Sequence, residues 1–100
     1  MTYEEAAIKL MEYPILKGFG EPQLGFIEGN ISDKKMYKTL AGAQRAALAD
    51  NTCTGFTYLP RSKCYRLRGG YCVKIRGTCV ESGDYSYLKE QFQPARFDEL

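Results

Sequence analysis

Two runs rich in apolar, aromatic and Thr residues, Cys53 to Tyr58 and Lys63 to Arg68, set their side chains on two sides at period two. Thr54, Phe56 and Tyr58 fall on one side of the first run, and Cys53, Gly55 and Thr57 on the other. Aromatic and Thr residues favour a pleated, half-buried surface, so both runs are expected to be strands. Leu59-Pro60-Arg61-Ser62 separates them, and Pro60 has no N–H to give a ladder. The pattern is therefore a β-hairpin with a cysteine on each arm. From Tyr65 to Val80 further strand-like runs are broken at Gly69-Gly70 and Arg76-Gly77, the expected hairpin turns. These turns would set Leu67 opposite Cys72 and Lys74 opposite Cys79. Asp84 to Phe92 fits either a strand or a short helix, and an irregular closing segment is expected there.

Upstream of the hairpin the period changes. Met36, Leu40, Ala43 and Ala47 recur at helical spacing and make one stripe toward the sheet. Ser32 or Asp33 can cap this helix and Asp50-Asn51 can stop it, so it is expected to reach Ala49. Ala43, Ala46 and Ala47 are small enough for close approach to the strands. Earlier still, Thr2-Tyr-Glu-Glu5 has the form of a capping box, predicting a helix over residues 3–12 that ends before Pro14. Ala7, Leu10 and Met11 are its expected inward stripe. Residues 14–25 read as a Gly/Pro loop anchored by Ile15, Leu16 and Phe19, and Leu24–Glu28 as a short strand. The fold class expected is α+β: one central helix packed on a small antiparallel sheet, with an extra N-terminal helix. Residues 1–24 form the extension, 25–92 the domain and 93–100 a tail.

One hundred residues with 44% hydrophobic content make one domain. A net charge of +2 is too small to imply nucleic acid. No apolar run approaches the length of a membrane span. Glu4, Glu5, Lys9 and Glu12 interrupt the N-terminal apolar residues, so no secretory signal is read there. The terminal Phe97-Asp-Glu-Leu100 overlaps an ER-retention signal only in its last three residues and is expected to be a surface tail. The chain has no histidine, which removes the commonest nucleophile triads and His-ligated metals. No cofactor or catalytic residue is expected.

Cys53, Cys64, Cys72 and Cys79 cluster in the strand-rich half with no C-x-x-C pair. Two disulfides in an oxidising compartment, secreted or luminal, are the first reading, and a four-thiolate zinc site the second. Of the three connectivities, 53–64 with 72–79 is favoured, because each pair shares a sheet face. Arg61, Lys63, Arg66, Arg68, Lys74 and Arg76 lie between Asn51 and Val80 with no acidic residue among them. With Tyr65 and Tyr71 they form a candidate surface for an acidic glycan or protein, against the plainer alternative of a solvated sheet face. Asn30-Ile31-Ser32 is a candidate glycosylation sequon.

The order of strand, helix and cysteine-bearing hairpin over about residues 25–68 resembles the PAN/apple domain. Cys53-Thr-Gly-Phe-Thr-Tyr58 is similar to that family's C-x-G-F-x-Y strand, Lys63-Cys64-Tyr-Arg-Leu67 to its K-C-x-L-K-type strand, and Ala43-Gln-Arg-Ala-Ala47 to its A-x-x-x-C helix. Ala43 and Ala47 stand where the family usually carries cysteines that tie helix to sheet. The resemblance implies a non-enzymatic module for protein–protein or protein–carbohydrate contacts. A small accessory subunit bridging neighbours in a large assembly is the alternative.

Overall fold

The computed structural model describes residues 2–32, 34–75 and 83–92. Among the described residues two α-helices, α1 (Tyr3–Leu10) and α2 (Leu40–Ala49), accompany seven strands. These are β1 (Gln23–Leu24), β2 (Phe26–Ile27), β3 (Met36–Tyr37), β4 (Gly55–Leu59), β5 (Cys64–Arg68), β6 (Val73–Lys74) and β7 (Tyr85–Leu88). Five strands form an antiparallel sheet in the order β1-β7-β4-β5-β3, and β2 pairs with β6 in a small second sheet. The class is α+β, with a helix laid on an antiparallel sheet.

The expected β4–β5 hairpin forms, and its register runs from Gly55 opposite Arg68 to Leu59 opposite Cys64. Pro60 to Lys63 make its tip, where Ser62 N–H donates to Leu59 O at 3.1 Å and Lys63 takes a positive φ of 53°. Phe56, Leu67, Tyr85 and Tyr87 line the face toward α2, which meets them through Ala43 and Ala47, both wholly buried. Two methyl-sized side chains let the helix axis come close to the rings without leaving a void.

Several expectations give way. Asp84 to Phe92 is not irregular: β7 occupies the sheet interior between β1 and β4, and all four of its residues are buried. Its Tyr-Ser-Tyr-Leu alternation is obscured in sequence because hydroxyls sit on both faces. Second, α2 begins at Leu40, not before Met36. Thr39 takes an extended conformation and its Oγ1 accepts from Gly42 N–H at 3.0 Å, which caps the helix there. Met36 and Tyr37 instead pair with Arg66 and Tyr65 as an edge strand. Third, Gly69-Gly70 is not a hairpin turn, and Leu67 does not face Cys72. Gly69 N–H donates to Gly29 O at 3.1 Å, and the chain leaves to pair β6 with β2, Phe26 opposite Lys74. The turn expected at Arg76-Gly77 and the tail 93–100 lie outside the described residues.

The second face of the sheet is covered by the chain around β2. The expected strand from Leu24 to Glu28 is split at Gly25, whose φ of +116° suits glycine and redirects the backbone across the sheet. Ile27, fully buried, then lies over Gly55, where a Cβ would stand 2.7 Å from its Cδ1. A buried relay fixes this crossing. Ile27 N–H donates to Thr57 Oγ1 (3.1 Å), which donates to Ser86 Oγ (2.7 Å), which donates to Gly25 O (2.8 Å). Each hydroxyl thus both accepts and donates, as burial requires.

Candidate functional site

Alpha-helix α1 is held at its start by Thr2, whose Oγ1 accepts from Glu5 N–H at 3.2 Å and donates to Glu5 Oε1 at 3.1 Å. It docks through Ala6, 4% exposed, and the half-buried Leu10, and its seam continues in Tyr13. These positions follow i, i+4 and i+7. The Tyr13 ring stacks on Tyr85 at 4.1 Å and 18°, while Tyr58 lies against Tyr85 at 5.1 Å. Pro14 O accepts from Tyr87 OH at 2.7 Å, and Lys17 O accepts from Gln44 Nε2 at 3.2 Å, so the following loop is fastened to both β7 and α2. Leu16 and Phe19 are buried anchors, as expected; Ile15 is not.

The inward stripe is therefore not Ala7, Leu10 and Met11. Met11 is 83% exposed, Ile15 81% and Ile8 62%. Turning the helix to bury Ala6, Leu10 and Tyr13 leaves these larger aliphatic side chains in water. Met11 and Ile15 border a groove of about 420 Å³, lined also by Ala7, Leu10, Glu21 and Pro22. A second hollow, of about 280 Å³, opens on the opposite flank of α1 between Lys9, Tyr13, Tyr58 and Pro60. Glu4, Glu5, Glu12 and Glu21 are exposed along this end of the molecule. The sequence signal was present: Ile8, Met11 and Ile15 recur at i, i+3 and i+7, a second apolar stripe on a segment that needs only one to dock.

The basic residues are not gathered into one site. Arg61 and Lys63 are exposed at the hairpin tip. Arg66 and Arg68 are half-buried on β5, and Arg68 Nη1 donates to Asn30 Oδ1 at 3.0 Å. Burial also pulls the Arg68 guanidinium below its usual pKa. Lys74, on the second sheet, forms an ion pair with Glu28. Arg76 lies outside the described residues. Tyr65 belongs to the inner ring cluster, 5.8 Å from Phe56, with its hydroxyl 3.2 Å from that of Tyr85. Tyr71 is exposed and meets Phe92 edge-on at 5.5 Å. Asn30 is exposed in the loop after β2.

The cysteines are likewise apart. Cys53 and Cys64 have the same strand parity, but the whole β4–β5 ladder stands between them. Cys53 lies below the open end and Cys64 at the tip. At ~3.3 Å per residue their separation greatly exceeds the ~7 Å limit for a disulfide, so the 53–64 pairing is incompatible with the register. Cys53 Sγ instead donates to Gly55 O at 3.0 Å, and Cys64 Sγ to Ser62 O at 3.1 Å. Cys72 is exposed, and Cys79 lies outside the described residues, so the 72–79 pairing does too.

The perturbed groups are shifted toward their neutral forms. Burial pushes the Cys53 thiol up. Burial likewise raises Tyr13, reinforced by Tyr58 and Tyr65. It raises Tyr85 further, with help from the Tyr65 hydroxyl, and pushes Tyr87 up to about 12. Asp50 is the exception: hydrogen bonds from the Thr52 hydroxyl and N–H hold its carboxyl below the usual range. Buried Lys89 donates to the carbonyl of the same Asp50 at 3.0 Å, tying the end of α2 to the segment after β7. Among the described residues no helix is long and apolar enough to cross a membrane. Comparison with protein-family models, curated proteins and solved structures finds no match.

Proposed function

We propose that the protein is a non-catalytic docking module that holds another protein against the outer flank of α1, in the manner of a small accessory subunit. The observation that carries this is the exposure of Met11 and Ile15 together beside an open apolar groove, with Ile8 on the preceding turn. Large side chains in such an arrangement mark contact surfaces more often than isolated exposed residues do. The inner tyrosines and the Cys53 thiol support a non-catalytic role, because burial holds them neutral and packed. The dispersal of the basic residues, one bound to Asn30 and another to Glu28, favours a protein partner over an acidic glycan. The resemblance to PAN/apple modules is in keeping with this role, and the helix-on-sheet architecture supports it only at the level of fold class.

The test is affinity capture of the tagged protein from its own cells. It compares wild type, Met11→Glu with Ile15→Glu, and Arg61→Glu with Lys63→Glu. A partner lost only from the first variant supports docking at α1. Loss only from the second would move the contact to the hairpin tip and defeat the proposal.

A further inference from the structure

From the charge around the groove, and resting on the α1 docking reading above, we infer that the partner element is a basic amphipathic helix. The groove walls are apolar: Ala7, Leu10, Met11, Tyr13, Ile15 and Pro22, with Glu21 as the one charged lining residue among the described residues. A helix laid in such a trough offers anchors at i, i+3 or i+4, and i+7. Between Thr2 and Pro22 the chain carries Glu4, Glu5, Glu12 and Glu21 against Lys9 and Lys17, a net charge of −2 on a protein whose total is +2. Lys9 borders the other hollow, beside Tyr58 and Pro60, and not the groove. Glu21 stands in the groove, and exposed Glu4 precedes Ala7 and Met11 at i+3 and i+7 on the same helix face, so negative charge borders the groove on a molecule that is otherwise positive. A helix with Lys or Arg flanking its apolar stripe matches both features.

Other occupants fit less well. Anionic lipid would be repelled by the rim, since helices that lie on such surfaces are basic on their polar face. A second copy would have to supply a basic helix, yet α2 carries only Arg45 as a cation and α1 is acidic. The cationic stretches of the chain, Lys34 to Lys38 around β3 and Arg61 to Arg68 in the hairpin, are built on strands, which have the wrong shape for the trough.

The probe is a labelled synthetic peptide with leucines at helical spacing and lysines elsewhere, set against the same peptide with glutamates for the lysines. Binding to the full chain is followed by fluorescence anisotropy at low and high salt. The lysine peptide is expected to bind at least about tenfold more tightly, although the protein's net charge alone favours the opposite order. Glu4→Gln with Glu21→Gln should weaken it about fivefold and flatten its salt dependence. Met11→Glu should abolish saturable binding in the groove with the melting temperature unchanged. Equal affinity for the two peptides, or no binding of either, overturns the inference. So does saturable binding to vesicles of anionic lipid, or a dimer in light scattering that Met11→Glu dissociates. The two readings separate cleanly. If Met11→Glu with Ile15→Glu loses the cellular partner while cross-links map to a partner segment that is not a basic helix, docking stands and the inference falls. If the cellular partner survives that double substitution, both fall.

Discussion

Helices α1 and α2 are both short and both capped by a threonine, yet they dispose of their apolar side chains in opposite ways. Helix α2 turns alanines inward: Ala43 and Ala47 are wholly buried against the rings of the sheet, and Leu48 is left half in water. Helix α1 also turns an alanine inward, Ala6, but its large aliphatics Ile8 and Met11 face out. The difference lies in what each helix meets. Under α2 the space is already filled by Phe56, Tyr87 and Tyr65, so only methyl groups fit. Under α1 the neighbour is the two-residue edge strand β1, and a single seam of Ala6, Leu10 and Tyr13 is all it can cover. An apolar stripe therefore indicates burial only where the sheet is broad enough to receive it.

The largest effect should come from enlarging the α2 contact. Ala43→Leu adds three carbons where no space remains and is expected to cost about 3 kcal/mol in urea unfolding. Ala7→Leu, on the groove side of α1, should stay within about 0.5 kcal/mol of wild type. Equal costs would mean that the two helices are packed alike.

The ring seam beneath both helices gives the next effect, in alkali. Burial raises Tyr85 and Tyr13 above their ordinary value of 10.0 and Tyr87 up to about 12. The unfolded chain releases these protons first, so the stabilisation is whole below pH 10 and drains away as pH rises toward 12. Tyr87 alone accounts for about 2 kcal/mol over that window. Unfolding compared at pH 10 and pH 12 measures it. Tyr87→Phe should flatten the dependence while losing the bond to Pro14.

The caps sharpen the contrast at smaller scale. Thr39→Ala removes the acceptor for Gly42 N–H and should lower global stability by about 1 kcal/mol. Thr2→Ala removes the equivalent bond to Glu5 N–H, but α1 is attached along one narrow seam. Its loss should appear as faster amide exchange in residues 5–10 with the global midpoint unmoved. A shift of the midpoint as large as that of Thr39→Ala would make α1 integral to the cooperative unit.

How much of this could be read from residues alone follows the same division. The β4–β5 hairpin was legible because turn chemistry at Pro60 and the aromatic- and Thr-rich runs on either side of it agree. The inward alanines of α2 were legible because nothing larger competes for the stripe. Strand β7 was not, since Ser86 and Tyr85 look polar until the relay through Thr57 and the hydroxyl of Tyr65 is seen to satisfy them. The start of α2 was not, because Met36 fits a helical stripe and a period-two strand equally, and only Thr39 decides between them. On α1 two stripes share one short helix. Choosing Ala7, Leu10 and Met11 over Ala6, Leu10 and Tyr13 amounts to a rotation of one residue, which periodicity cannot resolve when both sides are apolar.

The smallest expected effect is the most discriminating. Met11→Glu with Ile15→Glu places two carboxylates where the wild type exposes more than four-fifths of each side chain. If these residues belong to a docking surface, their replacement removes no internal contact, and thermal stability should change by less than about 0.5 kcal/mol. Fluorescence of a dye that reports exposed apolar surface should fall. Were the pair part of a core, the same substitution would bury two unpaired charges and unfold α1 from the sheet. Circular dichroism with a urea titration distinguishes these outcomes. A drop in stability comparable to that of Ala43→Leu would show that α1 has no outer apolar surface left to offer a partner.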